Sequence, residues 1–148
     1  MYPFALTVEI SAPVARVWRA LCDPREVLAW DSGLEAALEP PDDYPRPGQH
    51  VKWRCRSGPF RVLHDRPQEV VEGRRLRSLL TLGPYRYDET YMLETSSRGC
   101  RLTAAVSVWM VIPVVHSLFE ILYLGPATQR AFTHSLGAIK GLCEKGEG

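Results

Sequence analysis

Apolar and polar residues alternate from the start of the chain. Phe4, Leu6, Val8 and Ile10 stand at every second position against Ala5, Thr7 and Glu9, which predicts a strand with one buried face. The period then changes in SAPVARVWRALCDP. Val14, Val17, Trp18 and Leu21 share one helical face, and Pro13 suits the first turn. Asp23-Pro24-Arg25-Glu26 predicts a second helix start: a side-chain cap, proline at the first position and glutamate three after the cap. That short helix carries Val27, Leu28 and Trp30.

Further strands follow. Residues 33–39 predict a modest strand, and PPDDYPRPG is a loop because its prolines and aspartates interrupt regular structure. In residues 49–56, Val51, Trp53 and Cys55 oppose Lys52, Arg54 and Arg56. Ser57-Gly58-Pro59 reads as a hairpin connection to a longer strand over 60–71, bent at Pro67, with Phe60, Val62 and His64 on one row. After Gly73, Leu76, Leu80 and Leu82 oppose Arg75 and Arg77. Gly83-Pro84 turns the chain into a row of Tyr85, Tyr87, Glu89, Tyr91 and Leu93. A last strand places Leu102, Ala104, Val106, Val108 and Met110 inward.

From Val114 the spacing is helical, with Leu118, Leu122, Phe132, Leu136 and Ile139 on a stripe expected to clamp the sheet. Gly125-Pro126 is expected to break or kink this helix, since proline lacks the backbone donor. The apolar run over 102–124 approaches the length of a membrane span. Pro113 divides it, and the change of period within it predicts strand followed by helix.

Composition narrows the picture. A chain of 148 residues with net charge +1 and 45% hydrophobic residues is read as one domain, 1–148, able to bury a core. The charge balance excludes a wholly basic nucleic-acid binder, and 24% charged residues with clear periodicity exclude global disorder. Cys22, Cys55, Cys100 and Cys143 are too scattered for zinc or redox spacings. The opening MYPFALTVEI has no basic start, so the expectation is a cytoplasmic protein with reduced thiols, no stable membrane insertion and no cofactor.

The element order predicts an α+β fold: a curved antiparallel sheet wrapped around a long C-terminal helix, with two short helices after the first strand. The residues also carry a resemblance. Ala12-Pro13, Val17-Trp18-Arg19-Ala20-Leu21, Asp23-Pro24 and Trp30, in that order, resemble the opening of the START-like helix-grip superfamily (SRPBCC), particularly its polyketide cyclase/dehydrase and lipid-transport branch. Leu136, Ile139, Lys140 and Glu144 are similar to the closing pattern of its terminal helix. The resemblance implies a hydrophobic ligand, lipid-like or polyketide/aromatic, held in an internal cavity by a carrier or sensor. It equally accommodates a cyclase or dehydratase using cavity acid–base groups. Because one fold hosts many functions, a non-catalytic interaction module remains a third reading.

Glu89 and His64 are the candidates for catalytic acid–base groups. If the row of Glu89 faces the helix, its carboxyl enters an apolar interior and desolvation raises its pKa. The opposing row, Arg86, Asp88, Thr90, Met92 and Glu94, is more polar, which favours that orientation. Pairing with a nearby arginine is the ordinary alternative. His64 is either an acid–base group near the cavity or a histidine satisfied by a neighbour. In a hollow fold the core aromatics are also cavity wall, so Trp30, Trp53, Tyr85, Tyr87, Tyr91, Phe119 and Tyr123 join His64, Glu89, Leu122 and Gln129 as ligand-binding candidates. His116 and Glu120 have i,i+4 spacing but lack a third ligand, so no metal site is read. Ten Lys/Arg against three acids between Tyr44 and Arg86 read as the wet face of a sheet rather than a nucleic-acid surface. The oligomeric state is left open.

Overall fold

The computed structural model describes residues 1–111 and 116–145, without the side chains of His116 and Ser117. Strand β1 spans Tyr2–Ile10, and helices α1 and α2 span Val14–Cys22 and Pro24–Trp30. Strands β2 to β7 cover Leu34–Leu38, Val51–Cys55, Val62–Val71, Arg75–Leu82, Tyr85–Ser96 and Gly99–Met110. The chain closes with α3 (His116–Phe119), a π-helical turn (Glu120–Leu124) and the 20-residue α4 (Gly125–Glu144).

All neighbouring strands are antiparallel, in the order β1-β7-β6-β5-β4-β3-β2, so the sheet curves round with α4 on its inner face. This is the α+β helix grip expected from the element order. The cap of α2 forms as the sequence predicts: the Asp23 carboxylate accepts the Arg25 backbone N–H at 2.9 Å, with Pro24 in the first turn. Glu26 does not complete a capping box. It accepts instead from Arg16 at 2.7 Å and Arg19 at 3.0 Å, tying α2 to α1.

The core lies between sheet and helices. Val17, Leu21, Trp30, Leu102, Leu136 and Ile139 are buried there, and the Trp30 indole N–H donates to the Ala20 carbonyl at 2.8 Å. Phe132 carries the α4 contact to the sheet, meeting Phe4 edge-on at 5.8 Å and Tyr91 at 6.4 Å. At the far end of α4, Lys140 donates to the Glu9 carbonyl at 3.0 Å and Glu144 accepts from the Ser11 amide at 2.7 Å. The outer sheet face carries ion pairs, among them Arg77–Asp88 and Arg101–Glu9. Gly83 turns β5 into β6 at φ +56, with the Phe60 ring packed against its α-carbon.

Two expectations need correction. The terminal helix is not interrupted at Gly125-Pro126. Gly125 keeps helical angles (φ −60, ψ −56), and its N–H donates to the Glu120 carbonyl five residues back. The wider turn precedes the proline and absorbs its missing donor. That turn also shifts the helical phase, so Glu120 and Leu124 face inward while Leu118 and Leu122, at 60% and 52% exposure, face out. The stripe that clamps the sheet is therefore Leu124, Thr128, Phe132, Leu136 and Ile139. Among the described residues, no helix is long and apolar enough to cross a membrane.

Candidate functional site

Sheet and helix do not close on each other completely. An inner chamber of about 130 Å³ lies between the β3–β6 part of the sheet, the end of α2 and α4. An outer chamber of about 560 Å³ continues from it towards the π-helical turn. Asp31, Leu34, Leu63, Leu80, Glu89, Ala131 and Phe132 border both, so the two communicate.

The inner chamber owes its polar character to three strands and a loop. Pairing of Val51 with Asp65 and of Trp53 with Leu63 puts all four side chains on the inner face. The Asp65 carboxylate accepts the Tyr44 hydroxyl at 2.7 Å and the Trp53 indole N–H at 3.0 Å, both on Oδ2. Oδ1 has no hydrogen-bond partner although the residue is only 4% exposed. Ser78 stands beside this carboxyl and favours its charged form, without a hydrogen bond of good geometry to Oδ1. Burial outweighs these donors and raises the Asp65 pKa. Tyr44, from the proline-rich loop, also packs edge-on against Trp53 at 5.9 Å.

Asp31 caps the end of α2 and accepts the Gly33 amide at 3.0 Å, and burial raises its pKa too. Glu89 is the extreme case. It projects from β6 into the junction of the chambers, where burial, then the charges of Asp65 and Asp31, push its pKa well above 4.5. By accessible surface Glu89 is half-buried, and it borders both chambers. Among the described residues, none donates a hydrogen bond to Glu89 and no cation pairs with it. Burial in this position favours the protonated carboxyl over the carboxylate, and the protonated form offers one donor and one acceptor to whatever fills the chamber.

The sequence candidates separate into three groups. Trp30, Trp53 and Tyr91 wall the inner chamber; Tyr85, Tyr87, Phe119 and Tyr123 wall the outer one; Glu89 borders both. Burial pushes the Tyr87 phenol up to about 12. His64, Leu122 and Gln129 line neither chamber. His64 pairs in register with Lys52 on the outer face, and its Nδ1 lies 2.8 Å from Nε2 of His50. Its row faces outward because the inward pairs with β3 are Val51–Asp65 and Trp53–Leu63; the irregularity between Pro67 and Glu69 then lets Val70 face inward as well as Asp65. Gln129 accepts the Tyr2 hydroxyl at 3.1 Å beside a separate surface groove.

Asp31, Tyr44, Asp65 and Ser78 escaped the sequence reading. For Asp65 a signal was present: the inward row of Val51 and Trp53, carried across the hairpin, places Leu63 and Asp65 inward. Of the expected His116–Glu120 pair, the His116 side chain lies outside the described residues. Glu120 is buried and accepts from the Met110 amide at 3.0 Å and the Met1 ammonium at 2.5 Å. Among the described residues, no three His, Cys, Asp or Glu side chains converge at metal-binding distances.

A curved antiparallel sheet gripping a long terminal helix over a hollow interior defines the helix-grip class of ligand-binding folds. The chain belongs to the polyketide cyclase/dehydrase and lipid transport family, whose sequence profile matches residues 1–144. Protein CV1439 from Chromobacterium violaceum is similar in structure at 24% identity and TM-score 0.77, over 98% of this chain and 99% of that one. The Aha1 dimer from Colwellia psychrerythraea is similar at 14% identity and TM-score 0.73, over the full length of both. DynU16, from the dynemicin biosynthetic locus, matches at 20% identity and TM-score 0.70, over 98% of this chain and 48% of that one. At these identities the likeness shows the fold alone. No curated protein matches the chain by sequence.

Proposed function

We propose that this protein binds a hydrophobic small molecule between its sheet and terminal helix, as a carrier or sensor. The observation that carries the reading is the pair of communicating chambers with aromatic and aliphatic walls. A core evolved only for stability fills such space, because a void forfeits contacts on every side. The outer chamber has the size of a small-ligand pocket, and its walls are mostly apolar. The cytoplasmic location and the single-domain organisation belong to the same proposal.

Titration with an environment-sensitive apolar dye, followed by displacement with a panel of lipids and aromatic compounds, tests it. Ala131 borders both chambers, so Ala131→Trp places an indole across their junction. Saturable binding to the native protein, lost in a folded Ala131→Trp variant, is the expected result. Absence of saturable binding to the native protein overturns the proposal.

The raised pKa of Glu89 favours a second, catalytic reading. A neutral carboxylic acid beside apolar walls is a general acid for a substrate carbonyl, as cyclisation or dehydration of a polyketide requires. That reading calls for turnover of a polyketide-type substrate that Glu89→Gln abolishes without abolishing binding.

A further inference from the structure

The chambers are acidic. Of 18 Lys and Arg residues in the chain, none borders either chamber among the described residues, whereas Asp31, Asp65 and Glu89 all do. The groups facing Glu89 can be taken element by element. Asp31 comes from the end of α2, Tyr44 from the loop, and Asp65 from β4. Tyr87 and Tyr91 come from its own strand, and Asp88, on the opposite face, is paired with Arg77. From α4 the inner wall receives only Ala131, Phe132 and Ser135. Among the described residues, no positive charge answers the three acids there.

Two features point to an occupant. The first is Asp65 Oδ1, an acceptor without a partner on a side chain that is 96% buried and belongs to the inner chamber's wall, while Oδ2 is fully engaged. The second is the aromatic enclosure: Trp30 meets Tyr91 edge-on at 6.3 Å, and Tyr44 meets Trp53 at 5.9 Å. Ring faces of tryptophan and tyrosine attract cations, most strongly where water is excluded. The acids do not converge tightly enough to ligate one metal ion, so a spread organic cation fits them better than a divalent one.

We propose that the occupant is an amphipathic organic ammonium, its amine among Asp31, Asp65 and Glu89 and its aryl or alkyl body in the outer chamber. This rests on the ligand-binding reading above and adds the charge of the ligand to it. Proton balance follows directly. The ammonium arrives with its charge, and a Glu89 carboxyl that carries its proton gives that proton up to solvent. The product is a carboxylate–ammonium pair with the ligand nitrogen still carrying its own protons. An anionic ligand such as a free fatty acid meets uncompensated carboxyls and is rejected.

The test is calorimetric titration of the native protein with three matched probes: 4-phenylbutylamine, 4-phenylbutanol and 4-phenylbutyrate. The amine is expected to bind about tenfold or more tighter than the alcohol, the scale of one charge-assisted hydrogen bond. The butyrate is expected to bind weakest. Repeating the amine titration in two buffers of different ionisation enthalpy is expected to show proton release. Glu89→Gln is expected to remove most of the amine's advantage and the proton release, lowering amine affinity by more than it lowers alcohol affinity. If that variant does not fold, the comparison of amine with alcohol on the native protein decides alone: a clear preference for the amine supports the proposal and its absence overturns it. Alcohol binding as tight as amine binding overturns the cationic assignment and leaves the hydrophobic-ligand reading standing. Binding of none of the three overturns both.

Discussion

Glu89→Gln isolates what an uncompensated carboxyl costs the fold. The substitution preserves shape and removes the titrating proton. In the native protein, burial and then the nearby Asp65, Asp31 and Asp88 charges raise the Glu89 pKa well above 4.5. The unfolded chain releases that proton near its ordinary pKa while the folded chain retains it. The native state thus binds more protons between the two values, and stability falls as pH rises through that window. One proton of difference gives a slope of about 1.4 kcal/mol per pH unit, levelling off above the folded pKa. The Glu89→Gln variant lacks this slope. The glutamine amide brings its own burial cost of about 1–3 kcal/mol, but that offset is independent of pH. Asp31 and Asp65, also raised by burial, slope the same way in both proteins and cancel to first order in the difference. Glu9, Asp23 and Glu144, held low by their hydrogen bonds, lose stability as pH falls and cancel likewise. Urea unfolding of both proteins at several pH values from about 5 to 8 checks this. The variant is expected to gain relative to native by about 1.4 kcal/mol per unit until the native carboxyl ionises, roughly 3–6 °C in Tm for a chain of this size. A stability difference that is flat across the whole range refutes uncompensated burial of Glu89.

Tyr44→Phe keeps the ring on Trp53 but removes the 2.7 Å hydrogen bond to Asp65, so a loss of about 1.5–3 kcal/mol is expected in urea unfolding at neutral pH; an unchanged midpoint means that Trp53 alone satisfies the carboxylate. Gly125→Ala gains up to about 1 kcal/mol of helix propensity but drives a methyl group into the Tyr2 ring, an overpacking that costs about 1–3 kcal/mol. A lower Tm is expected, and a higher one shows that β1 yields at that contact.

Much of the fold was legible because its signals are local. The period of two in β1 and β3, the Asp23-Pro24 cap and the glycine turns each depend on neighbours within a few positions. The inward row of Tyr87, Glu89 and Tyr91 was legible for the same reason, since β6 runs 12 residues paired on both sides without a shift in register. His64 and Leu122 show where that logic stops. His64 follows the row that β3 sets, opposite Lys52, while the irregularity between Pro67 and Glu69 returns Val70 to the inner face, so no single alternation spans β4; at Leu122 the π turn shifts the helical phase. Composition carries no trace of such a shift. Only the partner strand, or the packed helix, fixes where the register resumes.

These two irregularities are also what shape the site. The break in β4 leaves Leu63 and Asp65 inside while Val70 still reaches the core on the far side of Pro67. The π turn carries Leu118 and Leu122 out to solvent and leaves Phe119 and Tyr123 at the outer chamber, so large aliphatic side chains are withdrawn from the space over the sheet. Both departures work against the fold's own stability: one buries a carboxylate with an unmet acceptor, the other exposes leucines and empties volume. These two departures from pattern, packing and polarity meet at one hollow. That convergence is the expected mark of a binding site, because a ligand supplies the contacts and the charge that the protein leaves out.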